Sequence, residues 1–386
     1  MKKLILLFVL ILFSAEFIYG IPAFARKYRM SCQTCHAPFP KLKPYGDEFA
    51  GNGFRLSDQE APRYYINTGD DDLSLIRELP LAVRLEGYTT YNMNNSDKFD
   101  FTAPYILKLL SGGELSNKIS YYFYFFFSER GEVAGIEDAF LMYNDLFGYD
   151  LDIYLGQFQV SDPLFKRELR LTLEDYSIYK AKPGYAKAAL TYDRGLMITY
   201  GAPSGTDIIL EILNGNGIGE ANNLKIFDDD KYKNVLLRIS QDVNDNLRLG
   251  AFGYYGNDEI EDDFGYNFTN EFYSWGTDLT LSYENMWEFN LQYLYRNDKQ
   301  ATYFNNDVET QGGLAELIFS PEGDESKWYG VALFNWVDSE WKPLDYKTAT
   351  IGVGHLLNRN IRLISECTYN IKDEFAQFSL GIISAF

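Results

Sequence analysis

The sequence predicts an all-β protein, an outer-membrane antiparallel β-barrel of about 16 strands preceded by a short helical segment. Three observations predict it. Aromatic residues make up 17% of the chain, with 31 Tyr and 29 Phe, yet mean hydropathy is only −0.26, so the apolar side chains are dispersed among polar ones. Beyond the N-terminal stretch, no apolar run reaches the length of about 18 residues that a membrane helix needs. Segments of alternating apolar and polar residues instead follow one another from Leu81 to the C-terminus, each suited to one tilted crossing. A soluble β-sandwich or solenoid has no need of so many strands carrying aromatics near both ends.

The chain opens with MKK and then LILLFVLILF, a basic stretch before a short apolar run, and small residues follow at Gly20, Ala23 and Ala25. This reads as a secretory signal over residues 1–25, cleaved near 20 or 25. Next comes MSCQTCHAPFPKL, in which Cys32, Cys35 and His36 form a C-x-x-C-H pentad, the attachment signature of c-type haem. Two thiols three positions apart reach the two vinyl groups of one porphyrin edge, and the next residue brings an imidazole under the iron. A zinc site needs a second pair of ligands, and the chain offers only Cys367 and His355 besides. A thioredoxin-like pair needs a βαβ context that is missing, which leaves a disulfide as the plain alternative. One covalent haem c is the expected cofactor, with Cys32 and Cys35 as its links and His36 as proximal iron ligand.

From Pro38 to Leu56 the pattern predicts one short helix, with Leu42, Tyr45 and Phe49 at helical spacing and Asn52-Gly53 as a left-handed stop. A polar connector containing Asp70, Asp71 and Asp72 runs on towards Pro80. The chain thus divides into a signal (1–25), a monohaem cytochrome c segment with connector (26–79) and a barrel (80–386). A segment that small buries too little surface to wrap a haem alone and must lean on the barrel.

The clearest strand is Met286–Arg296, with Trp287, Phe289, Leu291, Tyr293 and Tyr295 on one face and Glu288, Asn290, Gln292 and Arg296 on the other. Others share its plan, from Leu81–Met93 and Phe101–Leu110 to Asn360–Asn370 and Phe375–Phe386, giving an even number as bacterial barrels require. Alternate connections are short, as at Gly148-Tyr149-Asp150, Pro203-Ser204-Gly205, Asn244-Asp245, Asn285 and Asn358-Arg359. Those between are expected to be long and acidic, as at Asp228-Asp229-Asp230 and Asp258–Asp263 (DEIEDD). That asymmetry puts both chain ends, and the haem segment, on the periplasmic side or within the lumen. Val160–Leu190 is too long for a simple loop and holds Lys166, Arg167 and Arg170. It either lies outside the rim or folds inward, where its cations would face the haem propionates or a passing anion.

The net charge of −20 excludes a nucleic-acid interface, which needs a basic patch. It suits a surface that gathers cations such as Fe(II). A second axial ligand to the iron is commonly Met or His. Met142 and Met197 are candidates, on faces that Asp138, Asn144 and Thr199 mark as luminal. His355 is the remaining imidazole, but it shares a face with Ile351 and Val353 and reads as a lipid-facing rim residue; Cys367, beside Ile361 and Leu363, reads likewise.

The stretch AFARKYRMSCQTCHAPFPKLKPYGDEFAGNGF (Ala23–Phe54) resembles the N-terminus of the outer-membrane monohaem cytochrome c–porin fusions, through Phe24-Ala25-Arg26, the pentad, Phe39-Pro40, Leu42, Gly46, Phe49 and Asn52-Gly53-Phe54. The resemblance covers about 30 residues at family level, and the barrel matches in plan alone. It implies one haem in or against a barrel of about sixteen strands, and ferrous iron oxidation at the cell surface. Separately, YLGQFQVSDPLF (Tyr154–Phe165) resembles the strand and constriction loop of phosphate-selective porins, whose ladders of Arg and Lys this acidic chain does not display. The expected function is an outer-membrane electron conduit, passing single electrons between an extracellular donor or acceptor, Fe(II) foremost, and a periplasmic cytochrome or other carrier. Its lipid-facing wall needs an outer membrane as partner. The alternative is a solute-diffusion porin with a redox-sensitive haem plug; a soluble periplasmic cytochrome with a β-rich partner domain is a third reading.

Overall fold

A computed structural model describes residues 23–56, 79–93, 98–116, 118–261, 265, 267–302 and 307–386. The signal stretch up to residue 22 and the connector over 57–78 lie outside the described residues. Three short helices come first: α1 (Ala23–Tyr28), α2 (Cys32–Cys35) and α3 (Pro44–Gly51). Eight strands follow, β1 (Leu81–Asn92), β2 (Lys98–Glu114), β3 (Ile119–Glu129), β4 (Gly135–Tyr143), β5 (Leu151–Gln159), β6 (Tyr192–Ala202), β7 (Thr206–Leu213) and β8 (Asn234–Asn244). The second eight are β9 (Leu247–Glu261), β10 (Asn267–Tyr283), β11 (Trp287–Asp298), β12 (Val308–Phe319), β13 (Trp328–Ser339), β14 (Tyr346–Asn358), β15 (Ile361–Asn370) and β16 (Phe375–Ala385). Each strand pairs antiparallel with its neighbours in the chain, and β1 closes on β16 with Arg84 opposite Ala385. The result is a closed barrel of 16 strands with no free edge.

Closure satisfies every strand's backbone within the wall, which hydrocarbon demands. Alternation sorts the side chains. Leu155, Trp275, Ile351 and Leu380 are exposed on the outside, while Glu86, Lys108, Arg238, Glu316 and Arg362 are buried inside. At the rim of short turns, aromatic pairs stud the outer face: Trp287 lies 4.2 Å from Phe319, and Trp328 stacks 4.0 Å from His355. Such rings suit a membrane–water interface. Charged inner residues pair with one another; Arg296 grips Asp298 through two bonds of 2.7 and 2.6 Å, and Arg238 grips Asp278 in the same forked way.

Two expectations need correcting. Of DEIEDD, the first four residues belong to β9, because Asn267–Asn270 of β10 pair with them and Asp258 turns inward to accept the Lys187 and Ala188 amides at 3.0 and 3.3 Å. The helix expected over Pro38–Leu56 covers only Pro44–Gly51, because Pro38 and Pro40 break it and His36 bridges Leu42 across a tight hairpin. Tyr45 is exposed, and Gly46 and Phe49 form the buried face instead. Gly53 does take the left-handed conformation (φ +68°) just past the helix end.

The segment between β5 and β6 folds inward. Its Val160, Leu164, Tyr176, Ile178, Tyr179 and Leu190 join one apolar cluster with inward residues of β4 to β13. Inner-wall polar groups satisfy its backbone: Glu366 accepts the Leu173 and Glu174 amides at 2.7 and 3.0 Å, and Asn335 donates to the Asp175 carbonyl at 2.9 Å.

On the inner wall, the ring of Tyr329 lies over Gly354, where a Cβ would come within about 2.0 Å of it. Gly354→Val is therefore expected to cost about 1–3 kcal/mol through overpacking. A lower urea midpoint checks this against Gly330→Ala, whose Cβ would meet nothing within 4 Å and which is expected to be neutral.

Candidate functional site

The site is built on the pentad. Ser31 caps α2 by accepting the Gln33 amide at 3.3 Å, which sets Cys32 and Cys35 one turn apart as half-buried free thiols. The His36 amide donates to the Cys32 carbonyl at 2.9 Å, fixing the imidazole directly after the turn. His36 Nδ1 lies 2.7 Å from the Pro40 carbonyl oxygen, to which it donates. That bond selects the tautomer with its lone pair on Nε2, the arrangement that presents a metal-ligating histidine. Burial, the largest influence, pulls the His36 imidazole below its ordinary pKa, favouring the neutral form, and raises both thiols.

Helix α3 packs tightly on this motif. Lys43 N–H donates to the Cys35 carbonyl at 2.8 Å, and a Cβ on Gly46 would come within 2.4 Å of the same oxygen. Only glycine admits that approach. Phe24 stacks 4.7 Å from Phe54, with Phe49 edge-on at 5.5 Å from Phe24.

The whole segment seats in the barrel mouth that carries the short turns. Phe54 stacks 5.1 Å from Tyr122 on the inner wall, and Asn144 donates to the Gly51 carbonyl at 3.3 Å. Across the mouth, Lys41 pairs with Glu288 at 2.6 Å and Lys43 with Asp324 at 2.5 Å. Arg55 reaches Asp145 at 2.9 Å. From inside the lumen, Lys166 of the inward segment approaches Asp47 of α3 at 3.6 Å. Phe39 beside His36 (ring centroids 5.3 Å apart) joins an apolar cluster with Tyr88, Leu356, Ile364 and Ile383 of β1 and β14–β16.

The second-ligand candidates are not gathered around His36. Met142 and Met197 do face inward and are buried, but in the cluster of the inward segment, not the one holding Phe39. His355 faces outward, stacked on Trp328, and Cys367 is exposed on the outer face. Among the described residues, no three His, Cys, Asp or Glu side chains come together to hold a bare metal ion. Of the cations in the inward segment, Arg167 holds Asp175 through bonds of 3.1 and 2.7 Å. Sequence reasoning missed Arg84 and Arg362 on the inner wall; their only signal was a cation at an inward position of a strand.

No family model matches the chain, and no curated protein does. Solved structures do. A loop-deletion mutant of OmpT, an outer membrane protein of Vibrio cholerae, superposes with a TM-score of 0.57 at 11% identity, over 80% of this chain and 99% of that one. The anion-selective porin of Comamonas acidovorans gives 0.55 at 12% over 80% and 99%. The outer membrane channel DcaP of Acinetobacter baumannii gives 0.55 at 14% over 80% and 97%. The chain therefore has the 16-stranded fold of outer-membrane porins.

The seat is mainly apolar, since its ion pairs are partly exposed and worth about 0–1 kcal/mol each. Phe54→Ala, which removes the stack on Phe24 and Tyr122, is expected to cost about 3–5 kcal/mol of local stability. Hydrogen exchange over α3 checks it: the rate should rise by orders of magnitude, against less than about tenfold for Lys41→Ala.

Proposed function

We propose that this chain is an outer-membrane electron conduit, related to the monohaem cytochrome c–porin fusions, with one covalent haem c held at the periplasmic mouth. It would pass single electrons between an extracellular partner, Fe(II) foremost, and a periplasmic cytochrome or other carrier. The observation that carries the reading is His36 with Nδ1 committed to Pro40 O, directly after two free thiols, inside the mouth of a closed barrel. When bound, haem supplies a reversible one-electron couple at its iron. Cys32 and Cys35 would tether it, His36 Nε2 would ligate it, and Pro40 would hold the ring's orientation. Phe39, Phe49 and Phe54 keep water from this side of the segment. The acidic run Asp228-Asp229-Asp230 would draw Fe(II) by its field alone.

A second reading has its own support. The solved structures of like fold include an anion-selective porin and an outer membrane channel, so a solute-diffusion porin with this segment as its plug is the rival. One purified sample separates them. With a conduit, the oxidised protein carries haem that survives denaturation, and anaerobic Fe(II) raises its reduced-haem band; Cys32→Ala with Cys35→Ala abolishes both. With a porin, bilayer conductance is high and Fe(II) leaves the reduced-haem band of its plug unchanged.

A further inference from the structure

The strongest unassigned feature is a group of arginines beside His36. Phe39 shares an apolar cluster with Leu356 and Ile383, and Arg362 stands opposite both of them in the ladder, while Glu86 stands opposite Ile383 from the other side. Arg84, two residues before Glu86, ion-pairs with it and lies within electrostatic range of His36. Arg362 and, from the inward segment, Arg170 also lie within electrostatic range of Glu86. Glu168 and Asp175 of the inward segment are each bound by a further cation, Lys108 at 2.9 Å and Arg167 at 2.7 Å.

The arginines are also under-bonded. Arg84 donates to the Glu168 carbonyl at 2.8 Å, Arg170 to the Arg167 carbonyl at 2.7 Å, and Arg362 to Tyr329 Oη at 2.7 Å. Yet Nε of all three is buried with no hydrogen-bond acceptor among the described residues; the nearest carboxylate to Arg170 Nε, Asp175, stands off at 3.8 Å. Buried guanidinium donors left open in this way call for an anion with planar oxygen pairs.

We propose that Arg84, Arg170 and Arg362 seat the two propionate carboxylates of the haem carried by Cys32 and Cys35. This rests on the haem reading above and names the side chains that hold the group's charged edge. A carboxylate-bearing solute in the lumen shares this chemistry. Haem is favoured because the cluster sits against the hairpin of His36 itself, through Phe39.

The test uses the full-length holoprotein in detergent, titrated by potential. Cations near an anionic haem edge favour the ferrous state, so removing them must lower the ferrous to ferric ratio at fixed potential. Arg84→Gln with Arg362→Gln is expected to lower it about tenfold, equal to 59 mV for a one-electron couple. Arg84→Lys is expected to restore most of the shift, and the propionate bending band in resonance Raman spectra should move in the Gln variant. Arg238→Gln, which breaks only the distant pair with Asp278, should leave that band in place. If the Gln variant does not fold, Glu86→Gln carries the test with opposite sign, raising the ratio. Covalent haem retained with ratio and band both unchanged overturns the proposal. So does a change confined to the conductance of small carboxylates. A wild-type protein without covalent haem is a different result, and sinks the haem reading itself.

Discussion

The structure depends on one shortage. The segment from Ala23 to Leu56 carries the pentad but has too little apolar surface to enclose it, and it makes up the difference from the barrel mouth. Phe54 against Tyr122 on one side, and Phe39 in the cluster of Tyr88, Leu356, Ile364 and Ile383 on the other, give it two apolar footholds on the barrel wall. Lys41, Lys43 and Arg55 set its orientation between them. Both footholds lie on strands of the closed ring, and the Pro40 carbonyl fixes the direction of the imidazole.

Hydrocarbon imposes the second constraint. A barrel with all its strands paired can expose Leu155 and Ile351 outside and still keep Arg362 and Glu86 inside, because the backbone makes no demand on either face. The inner polar residues then serve twice. Glu366, Asn335 and Asp258 bind backbone of the inward segment, which is how a long connection comes to fill a lumen. That filling brings Lys166 to Asp47, linking the inward segment to the mouth, and sets Arg170 within electrostatic range of Glu86.

What was legible in the sequence was whatever local periodicity records. Period-two alternation located all sixteen strands to within a few residues in most cases, because lipid and lumen enforce opposite chemistry on successive side chains; at Met286–Arg296 the reading matches β11 almost to the residue. It misplaced the acidic end of β9, since Asp258 is bound to amides some 70 residues away in sequence. The pentad was legible because its residues lie adjacent in the sequence. The arginine group was not, because Arg84, Arg170 and Arg362 come from β1, the inward segment and β15, and only closure between β16 and β1 brings the outer two together. Nor could the direction taken by Val160–Leu190 be read, because it is decided by partners on distant strands.

A membrane assay tests the central claim most directly. The holoprotein is placed in liposomes enclosing an oxidised soluble cytochrome c, Fe(II) is added outside, and the enclosed cytochrome's reduced band is followed without oxygen. The account predicts reduction of the enclosed cytochrome that is lost when Cys32 and Cys35 are both replaced by Ala. A conduit is contradicted if the enclosed cytochrome stays oxidised while the same liposomes pass small solutes.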